Sequence, residues 1–219
     1  MRIWRNCNLQ LGDKSVKKFI FFVCAVLLIF GCGGDDHPPS SGGYTGSYDS
    51  LYYEGRTYKT VVIGRQTWMA ENLNYNASGS KCYNNSDSNC NTYGRLYNWE
   101  TAKTVCPSGW HLPTREDWDV MTAYIGGSST EGSKLKARSG WNNNGNGTDQ
   151  YGFSALPGGL GKSDGSFYTV GYDGYWWSAS ELESLSYLAY GRSMSYDGDN
   201  VYWNGINESY LFSVRCLQD

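Results

Sequence analysis

The sequence predicts an α+β domain, and three observations along the chain indicate it. Two segments with helical spacing follow one another in the middle of the chain. A long segment rich in Gly, Asn, Ser and Asp comes next, and alternating segments with a hairpin signal close the chain. That order predicts two helices, a long loop region and a terminal antiparallel sheet.

A β-hairpin is predicted at the entrance of the domain, which begins near Leu51. β-Branched and aromatic residues fill the segments from Thr60 to Ile63 and from Gln66 to Met69. Gly64-Arg65 between them is typical of a tight turn.

The first helix is predicted from Tyr93 to Cys106. Leu96, Trp99 and Cys106 recur there at helical spacing, which directs Cys106 toward the same core as the two apolar side chains. Pro107-Ser108-Gly109 ends the segment.

The second helix is predicted to begin after Thr114. Thr114 suits the N-cap, and Asp117 stands three residues on, where its side chain can return the hydrogen bond. Trp118, Met121 and Ile125 form the stripe that this helix would bury.

The long loop region is predicted from Gly126 to Gly174, and loops of that length are usually functional or disordered. Strands are predicted after it, with Asp197-Gly198 as the hairpin signal between Tyr187–Tyr196 and Val201–Trp203. The last strand is predicted from Tyr210 to Cys216, because its apolar residues alternate.

The N-terminal segment resembles a bacterial lipoprotein signal. Lys17 and the next lysine precede an apolar run from Phe19 to Phe30, and a glycine stands before Cys32. The run is shorter than the roughly 20 residues that span a bilayer. We therefore expect residues 1–32 to be a signal peptide ending at a lipidated Cys32, with translation starting at Val16. The alternative is a buried apolar helix that ends in a cysteine.

A flexible tether is predicted over residues 33–50, and the folded domain over residues 51–219. Lipidation would place the chain in a bacterial outer membrane, and Asp35-Asp36 close behind Cys32 favours the cell surface. The sequence leaves open whether the domain faces outward or into the periplasm.

The exported part is acidic and aromatic. From Gly33 onward, 13 Lys and Arg stand against 20 Asp and Glu, a net charge of −7. This balance gives no electrostatic footprint for nucleic acid. All 19 tyrosines lie beyond the signal, so the core is expected to be built largely from tyrosine and tryptophan.

Four cysteines follow the signal, at positions 82, 90, 106 and 216. An even number in an oxidising compartment predicts disulfides, and three connectivities are possible. We favour Cys82-Cys90, which closes a small polar loop, and Cys106-Cys216, which joins the middle of the chain to its end. A metal-thiolate site is not expected, because no cysteine pair has two-residue spacing.

Five segments together resemble the Fibrobacter succinogenes major paralogous domain. The resemblance runs from about Tyr58 to the end of the chain, with the segments in the family's order. They are Trp68–Tyr75, Tyr93–Trp99, Cys106–Thr114, Gly152–Gly159 and Trp176–Ser180.

The resemblance implies a C-type-lectin-like fold on exported bacterial lipoproteins, without a settled activity. In that fold a cysteine on the first helix pairs with one on the last strand, and Cys106 and Cys216 occupy those places. Leu112–Trp118 is also similar to formylglycine-generating enzymes. Their oxidase chemistry needs two reactive cysteines near the C-terminus, where Cys216 stands alone.

Calcium-dependent sugar binding is not the favoured prediction. The Glu-Pro-Asn, Gln-Pro-Asp and Trp-Asn-Asp triplets of true C-type lectins do not occur in the sequence. Asp197 and Asp199 are weak candidates for holding a Ca²⁺ ion, although such a run is more often a turn. No cofactor is therefore expected.

The favoured function is recognition of a glycan or a surface protein through aromatic rings on the loop face. The candidate ligand-binding residues are Tyr168, Tyr172, Tyr175, Trp176, Tyr202, Trp203, Asn204, Asn142 and Asp149. The alternative is a structural or assembly subunit of a surface appendage. A hydrolase or oxidase ranks third, because His111 is the only histidine within the predicted domain.

Overall fold

A computed structural model describes residues 43–127 and 129–219. The predicted signal peptide with Cys32, and residues 33–42 of the predicted tether, lie outside the described residues. Within the described ranges, no helix is both long enough and apolar enough to cross a membrane.

The described residues contain more strand than helix, which is compatible with the predicted α+β class. The strands are β1 (Asp49–Tyr53), β2 (Arg56–Ile63), β3 (Gln66–Met69), β4 (Ser80–Lys81), β5 (Leu96–Tyr97), β6 (Trp110–His111), β7 (Leu160–Gly161), β8 (Phe167–Tyr168), β9 (Asp173–Glu181), β10 (Leu188–Ser195), β11 (Tyr202–Asn207), β12 (Phe212–Ser213) and β13 (Leu217–Gln218). The α-helices are α1 (Asp87–Tyr93), α2 (Trp99–Ala102), α3 (Arg115–Tyr124) and α4 (Glu131–Leu135).

Two larger sheets organise the domain. One has the strand order β1-β2-β3-β13-β6, and the other has the order β11-β10-β9-β12-β5-β4. The predicted entrance hairpin is confirmed, because β2 and β3 pair antiparallel with Ile63 opposite Gln66. The predicted terminal hairpin is also confirmed, because β10 and β11 pair antiparallel.

The last strand was predicted to be continuous from Tyr210 to Cys216, and that prediction is wrong. Phe212 pairs with β5 in the six-stranded sheet, whereas Leu217 pairs with β3 and β6 in the five-stranded sheet. The chain divides because its two ends complete different sheets. The C-terminal segment thereby connects the six-stranded sheet to the five-stranded sheet.

The first predicted helix is also wrong in extent. Gly94 adopts a left-handed φ of 75°, which interrupts the helical spacing after α1. Leu96 and Tyr97 then pair as β5, and the Asn98 side chain accepts a hydrogen bond from the Thr101 N–H to begin the four-residue α2.

Helix α3 confirms the second predicted helix. Thr114 and Asp117 form a reciprocal capping box at its start. Trp118, Met121 and Ile125 are buried in one hydrophobic cluster, as their spacing predicts.

Both predicted disulfides are present. Cys82 and Cys90 are bonded, as are Cys106 and Cys216, which are separated by 110 positions. The long-range bond closes a large loop, which in the chain-entropy account stabilises a fold more than a short loop does.

A buried polar cluster, which we name the Asn72 hub, joins distant parts of the chain. Asn72 Oδ1 accepts hydrogen bonds from Trp176 Nε1 at 2.9 Å and from Arg215 Nε at 2.8 Å. The guanidinium of Arg215 also donates to the backbone carbonyls of Phe153 and Ser154. Arg215 is therefore a buried cation held by amide and carbonyl oxygens.

The folded part begins before the predicted boundary at Leu51. The Tyr44 N–H donates to the Asp149 carbonyl at 2.8 Å, and the Tyr48 hydroxyl lies 3.3 Å from Ser154 Oγ. Strand β1 then starts at Asp49. Residues 43–50, which were predicted as part of the tether, therefore contact the domain because two tyrosine rings supply apolar area to bury.

Candidate functional site

The strands β9, β10 and β11 present two faces, and consecutive residues alternate between them. Arg192 on β10 pairs with Trp176 on β9 and with Trp203 on β11. Ser193, the next residue, pairs with Tyr175 and with Tyr202. The predicted ligand-binding residues on these strands therefore belong to opposite faces. We name the face of Arg192 the inner face and the face of Ser193 the outer face.

The inner face is closed by helix α3, and Trp176 lies within it. Trp176 is fully buried, and its indole N–H donates to Asn72 in the hub. This burial contradicts the prediction that Trp176 is a ligand-binding ring. Because aliphatic side chains are few in this sequence, the tryptophan supplies core volume instead.

Trp203 also lies on the inner face, where it packs against arginines. The Arg192 guanidinium lies 3.7 Å from the centre of the Trp203 ring. Asp119 on α3 accepts hydrogen bonds from Arg192 at 2.5 Å and from Trp203 Nε1 at 3.1 Å. Burial lowers the pKa of Arg192 to about 10, which Asp119 opposes. Trp203 is partly exposed, but its ring and its N–H are both engaged by the protein.

The outer face carries the open part of the predicted site. Tyr175, Ser193 and Tyr202 stand in one row across three adjacent strands, and Asn204 follows Tyr202 on the same face. We name these four residues the tyrosine face. Two strand spacings separate the backbones of the two tyrosines by about 10 Å. The side chain between them is only a serine, so the row is a shallow trough with an aromatic ring on each side.

Polar groups surround this trough. Asn204 Nδ2 donates to Ser193 Oγ at 2.8 Å, and Asn200 Nδ2 donates to the Tyr202 hydroxyl at 2.8 Å. Tyr202 is 47% exposed. The row thus combines an accessible ring with amide and hydroxyl groups that retain hydrogen-bonding capacity.

Tyr175 is the more constrained ring of the pair. It stacks on Phe212 with the ring centres 5.0 Å apart, and its hydroxyl donates to Asp173 Oδ2 at 3.4 Å. Burial, and then the nearby Asp173 carboxylate, raise the pKa of Tyr175 to about 12. The phenol is therefore neutral at physiological pH and remains a hydrogen-bond donor.

The remaining predicted residues lie at other places. Tyr168 on β8 faces Lys162, whose ammonium is 4.5 Å from the ring centre. Tyr172 packs edge-on against Tyr196 at 5.2 Å, and the Asn142 N–H donates to the carbonyl of Gly171 beside it. Tyr172 and Asn142 therefore form a second exposed pair in the loop region.

Asp149 does not belong to an open site. Its Oδ1 accepts from the Ser154 N–H at 2.7 Å, and its Oδ2 accepts from Ser154 Oγ at 2.6 Å. The residue is buried, so the prediction that it contacts a ligand is contradicted. Its carboxylate instead holds the loop that supplies two carbonyls to the Asn72 hub.

The turn around Asp197 and Asp199 contains a protein cation. Lys136 is 2% exposed, and its Nζ donates to the carbonyls of Ser195 at 3.0 Å and Gly198 at 2.9 Å. Burial lowers the pKa of Lys136, and the two aspartates oppose that effect. Within the described ranges, no group of three or more His, Cys, Asp and Glu side chains could hold a metal ion.

A cavity of about 700 Å³ lies beside the start of α3. Its lining includes Arg115, Ser180, Glu181, Glu183 and Tyr190. The guanidinium of Arg115 lies 4.7 Å from the centre of the Tyr190 ring. This cavity therefore combines carboxylates with a cation already packed on an aromatic ring.

A family model described as the Fibrobacter succinogenes major domain matches residues 61–218. The chain belongs to this family. No curated protein and no solved structure matches the chain. Membership in the Fibrobacter succinogenes major domain family therefore comes without a relative whose ligand is named.

The segments that carry the family resemblance lie mainly in the interior. Asn72, Phe153 and Trp176 each belong to one of them, and all three contribute to the Asn72 hub. Of the four residues of the tyrosine face, Tyr175 directly precedes one of these segments in the sequence. Ser193, Tyr202 and Asn204 lie outside all five segments. The family motif is thus largely a description of the core.

Sequence reasoning missed Ser193 and Asp173, although both lie on the outer face. Strict alternation along β9 and β10 could have found them, since every second residue shares a face. The same rule would have separated Tyr202 from Trp203 and Tyr175 from Trp176.

Proposed function

We propose that this chain is an exported, lipid-anchored recognition protein with a C-type-lectin-like fold, and that its tyrosine face binds a glycan. The row of Tyr175, Ser193 and Tyr202 across three strands is the observation that carries the proposal. Flat rings on both sides of a small polar residue can stack on sugar faces while nearby amides and hydroxyls bond the sugar hydroxyls. A surface protein that presents similar groups is the alternative ligand.

Export to the surface of a bacterial outer membrane is part of this proposal. The lipoprotein-like signal ending at Cys32 supports it, as do two disulfides, which are typical of oxidising compartments. Within the described residues, the carboxylate that contacts the tyrosine face is that of Asp173, at the Tyr175 hydroxyl, and we propose that binding requires no calcium.

We also propose that the chain binds without catalysis. Nδ1 of His111 lies 2.6 Å from Asp219 Oδ1, and its Nε2 lies 3.3 Å from Asp117 Oδ2. Both ring nitrogens are thus engaged at the junction before α3. This supports a packing role for His111 rather than a general base.

Glycan binding is tested with the chain from Gly33 onward, with both disulfides formed, on an oligosaccharide array in the presence and absence of a calcium chelator. We expect binding that resists the chelator and is reduced at least tenfold by Tyr202→Ala. Tyr52→Ala is the matched control, because Tyr52 is 73% exposed on β1 of the other sheet. Chelator-sensitive binding would favour a calcium site, and equal losses in both variants would contradict the tyrosine face.

The second candidate function is that of an assembly subunit, and the edge strands β1 and β11 favour it. β1 and β11 each end a sheet, so each has one side without a partner strand among the described residues. Tyr52 and Val62 are 73% and 64% exposed on β1 and β2. Exposed edge strands can pair with another chain.

Sedimentation velocity over a range of concentrations distinguishes the two functions. Assembly through β1 predicts self-association that Tyr52→Lys weakens, because a charge on an edge strand opposes pairing. A monomer at all concentrations would leave glycan recognition as the supported function.

A further inference from the structure

We propose that the tyrosine face discriminates against acidic sugars, and that Asp173 is the specificity-determining residue. This inference rests on the proposed glycan-binding function. It narrows the ligand to neutral or amino sugars and excludes uronic acids.

Asp173 lies on the outer face of β9, two residues before Tyr175. It pairs with Ser195 on β10, just as Tyr175 pairs with Ser193. Its Oδ2 is the acceptor for the Tyr175 hydroxyl at 3.4 Å. The carboxylate therefore stands at the end of the trough, beside one of its two rings.

Two further carboxylates lie exposed at this end of the sheet. Asp197 and Asp199 are exposed in the turn after β10, and Asp197 Oδ1 accepts from Ser195 Oγ at 2.7 Å. The ammonium of Lys136 lies under that turn. It donates to two backbone carbonyls and is almost fully buried, so it is not presented to a ligand.

The outer face of the two neighbouring strands has no lysine or arginine to balance these carboxylates within the described residues. Its members on β10 and β11 are Ala189, Gly191, Ser193, Ser195, Tyr202, Asn204 and Ile206. Arg192, the arginine of β10, lies on the inner face with Trp203. The exposed charges named beside the trough are therefore negative.

A uronic acid in the trough would bring its carboxylate near Asp173. Two like charges about 6 Å apart in a partly solvated site, with an effective dielectric of about 40, weaken binding about tenfold. A sugar hydroxyl or ammonium at the same place would instead donate to the carboxylate. The charge of Asp173 thus favours neutral and basic sugars over uronic acids at this position.

The test uses matched pairs of oligosaccharides, each a neutral glycan and the same glycan with its C6 hydroxymethyl groups oxidised to carboxylates. Binding of both members is measured by isothermal titration calorimetry at one salt concentration. For any neutral oligosaccharide that binds, we expect the oxidised partner to bind at least tenfold more weakly.

Three variants locate the effect. Asp173→Asn should reduce the discrimination to about threefold or less, and Asp173→Glu, which keeps the charge, should retain it. Glu116→Gln removes one negative charge from α3, which covers the inner face, and should leave the tenfold ratio unchanged. Thermal unfolding of each variant verifies that it folds.

The outcomes separate the two proposals. Oxidised sugars that bind as well as their neutral partners would overturn the specificity inference and leave glycan binding in place. The inference would also fail if Asp173→Asn and Glu116→Gln changed the ratio equally. Absence of binding to both members of every pair would overturn the proposed function itself.

Discussion

The two faces of the sheet formed by β9, β10 and β11 differ in what their aromatic residues do. On the inner face, Trp176 is fully buried in the Asn72 hub, and Trp203 is engaged by Arg192 and Asp119. On the outer face, Tyr202 is 47% exposed. Tyr202 and Trp203 therefore have separate roles, because adjacent residues of a strand face opposite sides. Alternation alone does not decide the role, since Trp176 and Trp177 are adjacent on β9 and both are fully buried, with Trp177 stacked on Phe212 at the outer face.

The largest expected effect lies at the Asn72 hub, on the inner side. Asn72→Ala leaves Trp176 Nε1 and Arg215 Nε without their acceptor in the interior. We expect the free energy of unfolding to fall by about 4 kcal/mol, because each unsatisfied buried donor is costly. Urea denaturation measures the change. Asn76→Ala, at an exposed position, is the matched control and should be nearly neutral.

The neighbours Tyr202 and Trp203 give the most direct contrast between the faces. Trp203→Ala removes the ring that covers Arg192 and the N–H bonded to Asp119, and should cost about 3 kcal/mol of unfolding free energy. Tyr202→Ala should cost less than about 0.5 kcal/mol, as expected of a surface position. Similar losses in the two variants would show that the outer face is also structural.

The Lys136 ammonium supports the turn that joins β10 to β11. Lys136→Met leaves the carbonyls of Ser195 and Gly198 without this donor, and should lower the unfolding free energy by about 2 kcal/mol. Lys162→Met is the control, since Lys162 lies over the Tyr168 ring much as Lys136 lies over the Trp141 ring, but Lys162 is less buried. If the two variants were equally stable, Lys136 would not be a supporting residue.

The smallest expected effect is a pH dependence at the outer face. The folded pKa of Tyr175 is raised from 10 to about 12, so the unfolded chain loses this proton first as the pH rises. Stability is then fully present below about pH 10 and is lost between pH 10 and 12. Tyr97, whose pKa burial raises well above its usual value, acts in the same direction.

Tyr175→Phe removes one of these two groups. Between pH 9 and pH 11 the variant should lose about 1 kcal/mol less unfolding free energy than the parent chain. Guanidinium titrations at the two pH values measure this. If the variant and the parent chain lost the same unfolding free energy between the two pH values, Tyr175 would ionise as readily in the folded protein as in the unfolded chain.

Local signals in the sequence predicted part of the fold. The capping box of Thr114 and Asp117 and the Asp197-Gly198 hairpin are both present. These features depend on a few residues and on turn chemistry that short segments carry. The first helix was wrong because apolar spacing between Leu96 and Cys106 also fits a short strand followed by one helical turn.

The candidate site was less predictable than the fold. The loop residues Asn142 and Tyr172 and the sheet residues Tyr202 and Asn204 were all predicted, but nothing local shows that they lie in separate places. Cross-strand register places Ser193 between two tyrosines, and register depends on the whole sheet. Burial of Asp149 and Trp176 likewise depends on partners that are distant in the chain.

The contact of Tyr44 with Asp149 would shorten the connection between the domain and the lipid that we propose at Cys32. Only eleven residue steps separate Cys32 from Gly43, and they reach at most roughly 40 Å when fully extended. A connection that continued to Ser50 would reach roughly 60 Å. Many domains tethered by such short connections would lie in a thin layer above the membrane. Weak single contacts with a repeating polymer could then sum to strong adhesion through avidity.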